Sequence, residues 1–323
     1  MNVLSLFDGM SCGQVALERA GVKVDNYFAS EIDKYAIKIA QKNYPNTIQL
    51  GDVTNWRDWD IDWSSIDLVS GGFPCQSWSL AGKQLGDRDP RGMLFWTMLD
   101  IISNVIKHNP KAKFLMENVR MKREFEEYIT FHTEKALGKV NKHLINSNLV
   151  SAQNRARFYW TNIEGVVEPE DKGLLLKDIV EDKTVYWGAA KRGRYKKEGG
   201  TYQRLELNGT EKSNALTTVQ KDSLILSDKA IDYMNRERNG KPRWTYHSNP
   251  IEGKASCLTA NMYKGVPYGV IEEYCRRLSP IECERLQTLS DNYTEGVSYT
   301  QRFKMIGNGW TVDVIVEFYK HLK

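Results

Sequence analysis

The sequence predicts an α/β protein, an open sheet whose strands end in chemically useful residues, accompanied by a smaller domain. Three observations predict it. The chain opens on a strand-like run, Val3 to Phe7, a glycine turn from Asp8 to Gly13, and a helical stretch from Gln14 to Ala20 stopped by Gly21. The next strand-like runs, Tyr27–Ser30 and Thr47–Leu50, lead into the acidic residues Glu31 and Asp52. A fourth apolar run, Ile66 to Val69, leads into Gly71-Gly72-Phe73-Pro74-Cys75.

At 323 residues the chain exceeds what one core usually serves, so a large domain plus a smaller one is expected. With 41% hydrophobic and 27% charged residues and a mean hydropathy of −0.53, the composition is that of a water-soluble globular protein. No apolar run approaches the ~18 residues a membrane span needs. The first strand starts almost at Met1, which leaves no room for a signal peptide. Five irregularly spaced cysteines without a Cys-x-x-Cys pair argue against a disulfide framework and against a metal site, and point to reducing cytoplasm. The net charge of +4 is too mild to indicate a partner.

Strand, glycine turn and helix open a nucleotide-binding βαβ unit, in which the turn lets the backbone approach a ligand and the helix N-terminus faces it. The spacing is Gly-x-x-x-Gly rather than the dinucleotide Gly-x-Gly-x-x-Gly. Glu31 lies about 20 residues beyond Asp8, where such folds place a ribose acceptor. Asp8, Glu31 and Asp52, each at a strand end, suit a nucleoside-like ligand; taken singly, each reads equally as loop polarity. The turn after Val69 presents the thiol of Cys75 at the rim where open α/β sheets bind ligands. There a cysteine becomes a nucleophile if nearby charge stabilises its thiolate; otherwise it is a small buried apolar residue.

The polar, glycine-containing segment from Gln76 to Gly92 is too long for a tight turn and reads as a lid. Leu94, Phe95, Met98, Leu99, Ile102, Val105 and Ile106 fall on one helix face and read as core. Lys113–Met116 is a further strand with Glu117-Asn118 at its end, so a carboxyl joins the thiol on one rim as candidate acid and nucleophile. Gln153 to Trp160 reads as a continuous strand that puts Arg155 and Arg157 on the same face, where they would lower a thiolate pKa or clamp an oxyanion.

In chain order these elements are Phe7-Asp8-Gly9 with Gly13, Glu31, Asp52, Gly72-Phe73-Pro74-Cys75-Gln76, Arg91-Gly92-Met93-Leu94-Phe95, Glu117-Asn118-Val119 and Gln153-x-Arg155-x-Arg157. Arg277-Leu278-Ser279-Pro280-Ile281-Glu282-Cys283 and Gly307-Asn308 follow near the C-terminus. The set resembles the cytosine-5 DNA methyltransferases of bacterial and phage type and brackets nearly the whole chain. The chain departs from that pattern at Gly309-Trp310, where a small polar residue and valine are commoner. The resemblance implies a Rossmann-like S-adenosylmethionine-dependent fold with a mixed sheet, plus a smaller, mostly β target-recognition domain. It divides the chain into residues 1–160 and 275–323 for catalysis and 161–274 for recognition, with the last helix, around Thr311 to Leu322, packed beside the first motif.

The resemblance also implies roles. Cys75 adds to carbon 6 of cytosine, Glu117 serves the ring nitrogen, Arg157 holds the carbonyl oxygen and Arg155 orders the thiolate and its loop. For S-adenosyl-L-methionine, Phe7 and Ile32 pack on the ring, Glu31 accepts from ribose, Asp52 accepts from the adenine amino group and Asn308 meets the carboxylate end. Asp8, Gly9, Gly13, Val53, Gly72, Pro74 and Leu94 complete that pocket. For double-stranded DNA the expected contacts are Gln76, Ser77, Ser79, Lys83, Arg91, Leu258 and Thr259. Arg192 and Arg194 join them from the basic, aromatic-interleaved stretch Lys191–Lys197, near Trp187 and Tyr202. A monomer without metal or membrane attachment is expected. A short echo, Lys212–Thr218 and Lys254–Ala260, reads as a duplicated recognition hairpin facing the groove.

Two same-fold rivals are a tRNA cytosine methyltransferase and a catalytically dead DNA-binding regulator. The first usually carries Cys-Phe-Thr after Glu-Asn-Val, whereas Arg120-Met121-Lys122-Arg123 stands here. The second loses the thiol or the carboxyl, and both are present. The Asp/Asn-Pro-Pro-Tyr/Phe motif of amino-methylating enzymes is missing, and so is the dinucleotide glycine pattern of an oxidoreductase.

Overall fold

The computed structural model describes residues 1–74, 78, 92–182, 186–195, 201–208, 211–218, 224–227, 237–238, 241–242 and 275–322. Its centre is a seven-stranded sheet. The strands are β1 (Asn2–Leu6), β2 (Asn26–Ser30), β3 (Ile48–Gln49), β4 (Leu68–Gly71), β5 (Lys113–Val119), β6 (Asn141–Asn146) and β8 (Ala156–Thr161), in the order β3-β2-β1-β4-β5-β8-β6. The first five run parallel, and β8 enters antiparallel between β5 and β6, so the sheet is mixed. The strand order reverses beside β1, which places the ligand crevice at the carboxyl ends of β1 and its neighbours.

Successive side chains of a strand face opposite sides of a sheet, and the core divides accordingly. Val3, Leu68 and Leu115 pack on one side with helices α1 (Cys12–Arg19), α2 (Lys34–Asn43) and, from the far end of the chain, α8 (Val312–Tyr319). Leu4, Leu6, Val69, Phe114 and Met116 pack on the other with α3 (Leu94–His108), whose Phe95, Met98, Ile101, Ile102 and Val105 are fully buried. At about 1.5–3 kcal/mol per large apolar side chain buried, these two layers are the main source of stability. The last helix lies against α1, as the motif order implied, and Arg19 reaches Asp313 at 2.7 Å.

Local chemistry explains several boundaries. Asp33 caps α2 by accepting from the Tyr35 N–H at 2.9 Å, and Asp52 caps the short 3-10 helix Val53–Asp58 the same way through Thr54 at 2.8 Å. The motif at Ser279 is a capping box opening α6 (Pro280–Leu286): the Ser279 hydroxyl accepts from the Glu282 N–H and the Glu282 carboxylate accepts from the Ser279 N–H.

Beyond β8 come the short α5 (Leu176–Ile179), β9 (Tyr186–Tyr195), β10 (Thr201–Leu207), β11 (Ser213–Asn214), β12 (Leu224–Ser227), β13 (Glu237–Arg238), β14 (Lys241–Pro242) and β15 (Cys275–Arg277). A four-stranded antiparallel sheet runs β10-β9-β12-β15, and β13 pairs with β14.

Three expectations change. The run from Gln153 to Trp160 is not one strand: it breaks at Arg155 into β7 (Gln153–Asn154) and β8, so the two arginines do not share a strand face. Strand β5 extends through Val119, which puts Glu117 inside the strand, opposite Tyr159, rather than beyond its end. The first copy of the echo is no groove-facing hairpin. Its Ser213-Asn214 pairs in parallel with β7, and the Leu216 N–H donates to Gln153 Oε1 at 2.8 Å. The second copy lies outside the described residues.

Candidate active site

A cavity of about 410 Å³ opens at the carboxyl rim of the sheet, within the size range of small-molecule sites. Its wall is assembled from strand ends: Phe7 and Gly9 after β1, Glu31 and Ile32 after β2, Asp52 and Val53 after β3, Gly72 and Pro74 after β4, and Glu117 near the end of β5. Leu94, Arg155, Arg157 and Asn308 complete the predicted residues found on that wall.

Phe7 sits at φ +55°, a conformation that a bulky side chain adopts only under constraint, at about 1–3 kcal/mol. The constraint is Asp8. Its carboxylate accepts from the hydroxyls of Ser5 (2.6 Å), Ser11 (2.5 Å) and Tyr27 (2.7 Å), and its N–H donates to the Ser30 carbonyl. Burial pushes the Asp8 pKa up, against the pull of those hydroxyls. Asp8 therefore shapes the turn from behind and does not line the large cavity. Gly13 is absent from that wall too: with Asp8, Cys12 and Trp310 it lines a separate space of about 30 Å³.

The Glu31 carboxylate accepts three backbone N–H bonds, from Gly9 (2.8 Å), Ile32 (2.7 Å) and Asp33 (2.8 Å), so its position is fixed. Ile32 is 74% exposed while lining the cavity, an apolar surface available to a flat ring. Both Thr54 bonds to Asp52 fall on Oδ1. Lys304, on α7 (Tyr299–Asn308), pairs with Asp33 at 2.6 Å, and both line the wall.

Glu117 is the centre of the charged part. It is 9% exposed, and its Oε1 lies 3.1 Å from Arg157 Nε. Its Oε2 accepts from Trp310 Nε1 at 3.2 Å. Gly72 makes this packing feasible, because a Cβ there would stand 2.7 Å from Glu117 Oε2. Gly72→Ala is expected to displace the carboxyl and slow turnover roughly 10- to 100-fold, since ~1 Å of misplacement costs that much. Thermal unfolding should meanwhile move little. Steady-state rates and a melting curve check it, and an unchanged rate would refute the tight packing.

Arg155 has a different place from Arg157. It is 4% exposed, and its guanidinium donates to the carbonyls of Leu216 (3.0 Å), Gly307 (3.2 Å) and Gly309 (3.0 Å). It ties the inserted segment and the C-terminal segment to the break between β7 and β8.

Cys75, Gln76, Ser77, Ser79, Lys83, Arg91, Leu258 and Thr259 lie outside the described residues, as does the rest of the segment Gln76–Gly92 read as a lid, apart from Trp78 and Gly92. What flanks Cys75 is described. Pro74 lines the cavity, and the Phe73 carbonyl accepts from buried Asn118 Nδ2 at 3.0 Å. Trp78 is buried against Phe73, Phe95 and Phe125. The residues on either side of positions 75–77, Phe73 and Trp78, are thus anchored. Arg192 and Arg194 lie on β9, in register with Arg204 and Tyr202 of β10. Among the described cysteines, Cys12 and Cys283 are buried; burial pushes the Cys12 thiol up to about 12 and that of Cys283 up as well, so neither is a nucleophile.

Sequence reasoning missed Asn118 as an anchor, Asp33 and Lys304 on the wall, and Trp310 beside Glu117. Asn118 stands inside the Glu117-Asn118-Val119 motif, which by itself gives it no role. For Trp310 the only signal was its departure from the family pattern.

Among the described residues no helix is long and apolar enough to cross a membrane, and no group of three or more His, Cys, Asp or Glu could hold a metal. The model of the C-5 cytosine-specific DNA methylase family matches residues 1–323. The type II methyltransferase M1.ScrFI of Lactococcus lactis subsp. cremoris is 28% identical over 97% of this chain and 75% of its own length. M.HpaII of Haemophilus parainfluenzae is 29% identical over 97% and 86%. In fold, the chain is similar to the solved Entamoeba histolytica methyltransferase EhMeth, with a TM-score of 0.64 at 13% identity over 100% of this chain and 97% of that one. A carboxyl–arginine pair beside a nucleoside-sized cavity, on a sheet of this topology and with a family match over its full length, settles the assignment: the chain is a DNA cytosine-5 methyltransferase of the C-5 cytosine-specific DNA methylase family.

Proposed function

We propose that the enzyme takes its methyl group from S-adenosyl-L-methionine and places it on a cytosine turned out of double-stranded DNA, with Cys75 as nucleophile, Glu117 as acid and Arg157 on the base carbonyl. The observation that carries this reading is the Glu117–Arg157 pair at 3.1 Å, on the wall that also holds Gly72 and Pro74 just before Cys75.

The donor set fits the cofactor. Phe7 and Ile32 offer apolar surface to an adenine ring, Asp52 keeps its Thr54 bonds on Oδ1 and suits an amino group at its other oxygen, and Glu31 on the same wall suits ribose hydroxyls. Bound there, S-adenosylmethionine supplies an electrophilic methyl group.

Carbon 5 of cytosine is a weak nucleophile, and a covalent adduct divides the difficult step. The Cys75 thiolate forms a bond to carbon 6, and the displaced ring electrons move toward nitrogen 3, where the Glu117 carboxyl delivers a proton. Arg157 uses Nε on Glu117 and Nη1 on the Ala156 carbonyl, leaving further N–H groups for the base's carbonyl oxygen. Carbon 5, now enamine-like, accepts the methyl group. Loss of the carbon 5 proton to a base then re-forms the ring double bond and expels Cys75 as thiolate, while nitrogen 3 returns its proton to Glu117. These atoms are buried in a duplex, so the base must leave the stack at a cost of a few kcal/mol.

Residues 161–274 are assigned to target recognition, where Arg192 and Arg194 on the β9–β10 ribbon suit phosphate contacts. Residues 1–160 and 275–323 form the catalytic part.

Methylation of plasmid DNA and of tRNA, mapped by bisulfite sequencing, tests the reading. Protected cytosines in one DNA context would support it and reveal the site read. Modified tRNA with untouched DNA would overturn it, and so would DNA binding without methylation. Asp52→Asn keeps the helix cap but replaces an acceptor with a donor. It is expected to raise the cofactor KM about tenfold, the scale of one charge-assisted hydrogen bond, with kcat nearly kept; an unchanged KM would remove Asp52 from the cofactor site.

A further inference from the structure

Trp310 stands where the family pattern favours an aliphatic residue, and it reaches Glu117 across 193 positions of chain. We propose that Trp310 is a positioning residue for the acid, its indole N–H holding the Glu117 carboxyl through Oε2 in the orientation from which it serves the base. The inference rests on the functional reading above.

The geometry is asymmetric. Glu117 and Arg157 line the large cavity, whereas Trp310 is absent from that wall and lines a separate small space with Cys12 and Gly13. The indole therefore reaches the carboxyl from a residue that does not line the large cavity. An indole N–H donates and cannot accept, so Oε2, at 3.2 Å, must face it with a lone pair. Oε1 lies 3.1 Å from Arg157 Nε, so each oxygen of the carboxyl is held by a donor from a different segment of the chain.

The indole contact opposes rotation of the carboxyl, and the surrounding structure preserves it. A Cβ on Gly72 would meet both Glu117 Oε2 at 2.7 Å and Trp310 Nε1 at 3.3 Å. Arg155 holds the Gly309 carbonyl, one residue before Trp310, at 3.0 Å. An aliphatic residue at this position would leave Oε2 without this donor.

Trp310→Phe keeps a ring and removes the N–H. The assay is release of tritium from DNA containing 5-tritiated cytosine without methyl donor, which reads thiolate addition and protonation alone, followed by full methylation kinetics. Both rates are expected to fall about tenfold, the scale of one lost hydrogen bond to a charged group, while the KM for DNA and the cofactor dissociation constant stay within about twofold. In a Glu117→Gln background the same change should alter the exchange rate less than about twofold, because coupled residues are not additive. Three outcomes overturn the inference: an unchanged rate, an equal loss in both backgrounds, or a loss expressed only in cofactor binding. If Trp310→Phe does not fold, Trp310→Leu, which also lacks an N–H, carries the same comparison. A wild-type protein inactive on DNA would instead overturn the functional reading, so the two failures are distinguishable.

Discussion

Cys75→Ser is expected to lower methylation by on the order of 10⁴-fold or more, the scale seen when a covalent nucleophile is removed. The oxygen is nearly isosteric, but at neutral pH a serine hydroxyl holds no anion, whereas a thiol beside positive charge does. No other described thiol can stand in for it: Cys12 and Cys283 are buried, with burial pushing Cys12 up to about 12. DNA affinity should stay within a few-fold, because phosphate contacts rather than a single side chain at the reacting base dominate protein–DNA affinity. Single-turnover methylation and a gel-shift titration measure the two quantities separately. Parallel loss of both would show that Cys75 holds the turn together, and the covalent mechanism would have to be abandoned.

Arg155→Met is expected to destabilise the protein by about 3–5 kcal/mol, the usual result of breaking a buried charged network. The guanidinium is 4% exposed and its bonds to Leu216, Gly307 and Gly309 bring together three segments distant in sequence. Methionine matches much of the length and none of the donors, so buried carbonyls lose their partner. A melting midpoint lowered by roughly 10 °C is the measurable consequence. Motif logic had given Arg155 the task of ordering the thiolate. A variant that melts like the wild type but methylates slowly would restore that role, and the clamp described here would be wrong.

The contrast between Arg155 and Arg157 shows where a linear reading stops. Two arginines at i and i+2 share a face only if the strand between them is continuous. Here it breaks at Arg155, because β7 leaves the large sheet to pair with β11 while β8 enters it between β5 and β6. That pairing depends on residues some sixty positions onward, Ser213-Asn214, which no local pattern around Gln153 reveals. The same limit separated Asp8 from Glu31 and Asp52. All three follow strands, but Asp8 is turned inward by three hydroxyls, and one of them, on Tyr27, comes from the next strand.

The sequence by itself determined the family, the α/β class, the rim on which the chemistry is gathered and most of the residues on the cavity wall. Those features are local: a strand is recognised by its apolar run, its end by glycine, proline or a capping side chain, and residues just past that end must lie on the rim. Only the tertiary structure decided which polar groups touch one another. Glu117 acquires Arg157 from the antiparallel neighbour and Trp310 from the last segment of the chain, and Arg155 acquires carbonyls from two further segments. A buried polar group takes whatever partner packing brings within about 3 Å, and packing is set by the whole sheet and its two helical layers rather than by the residues on either side.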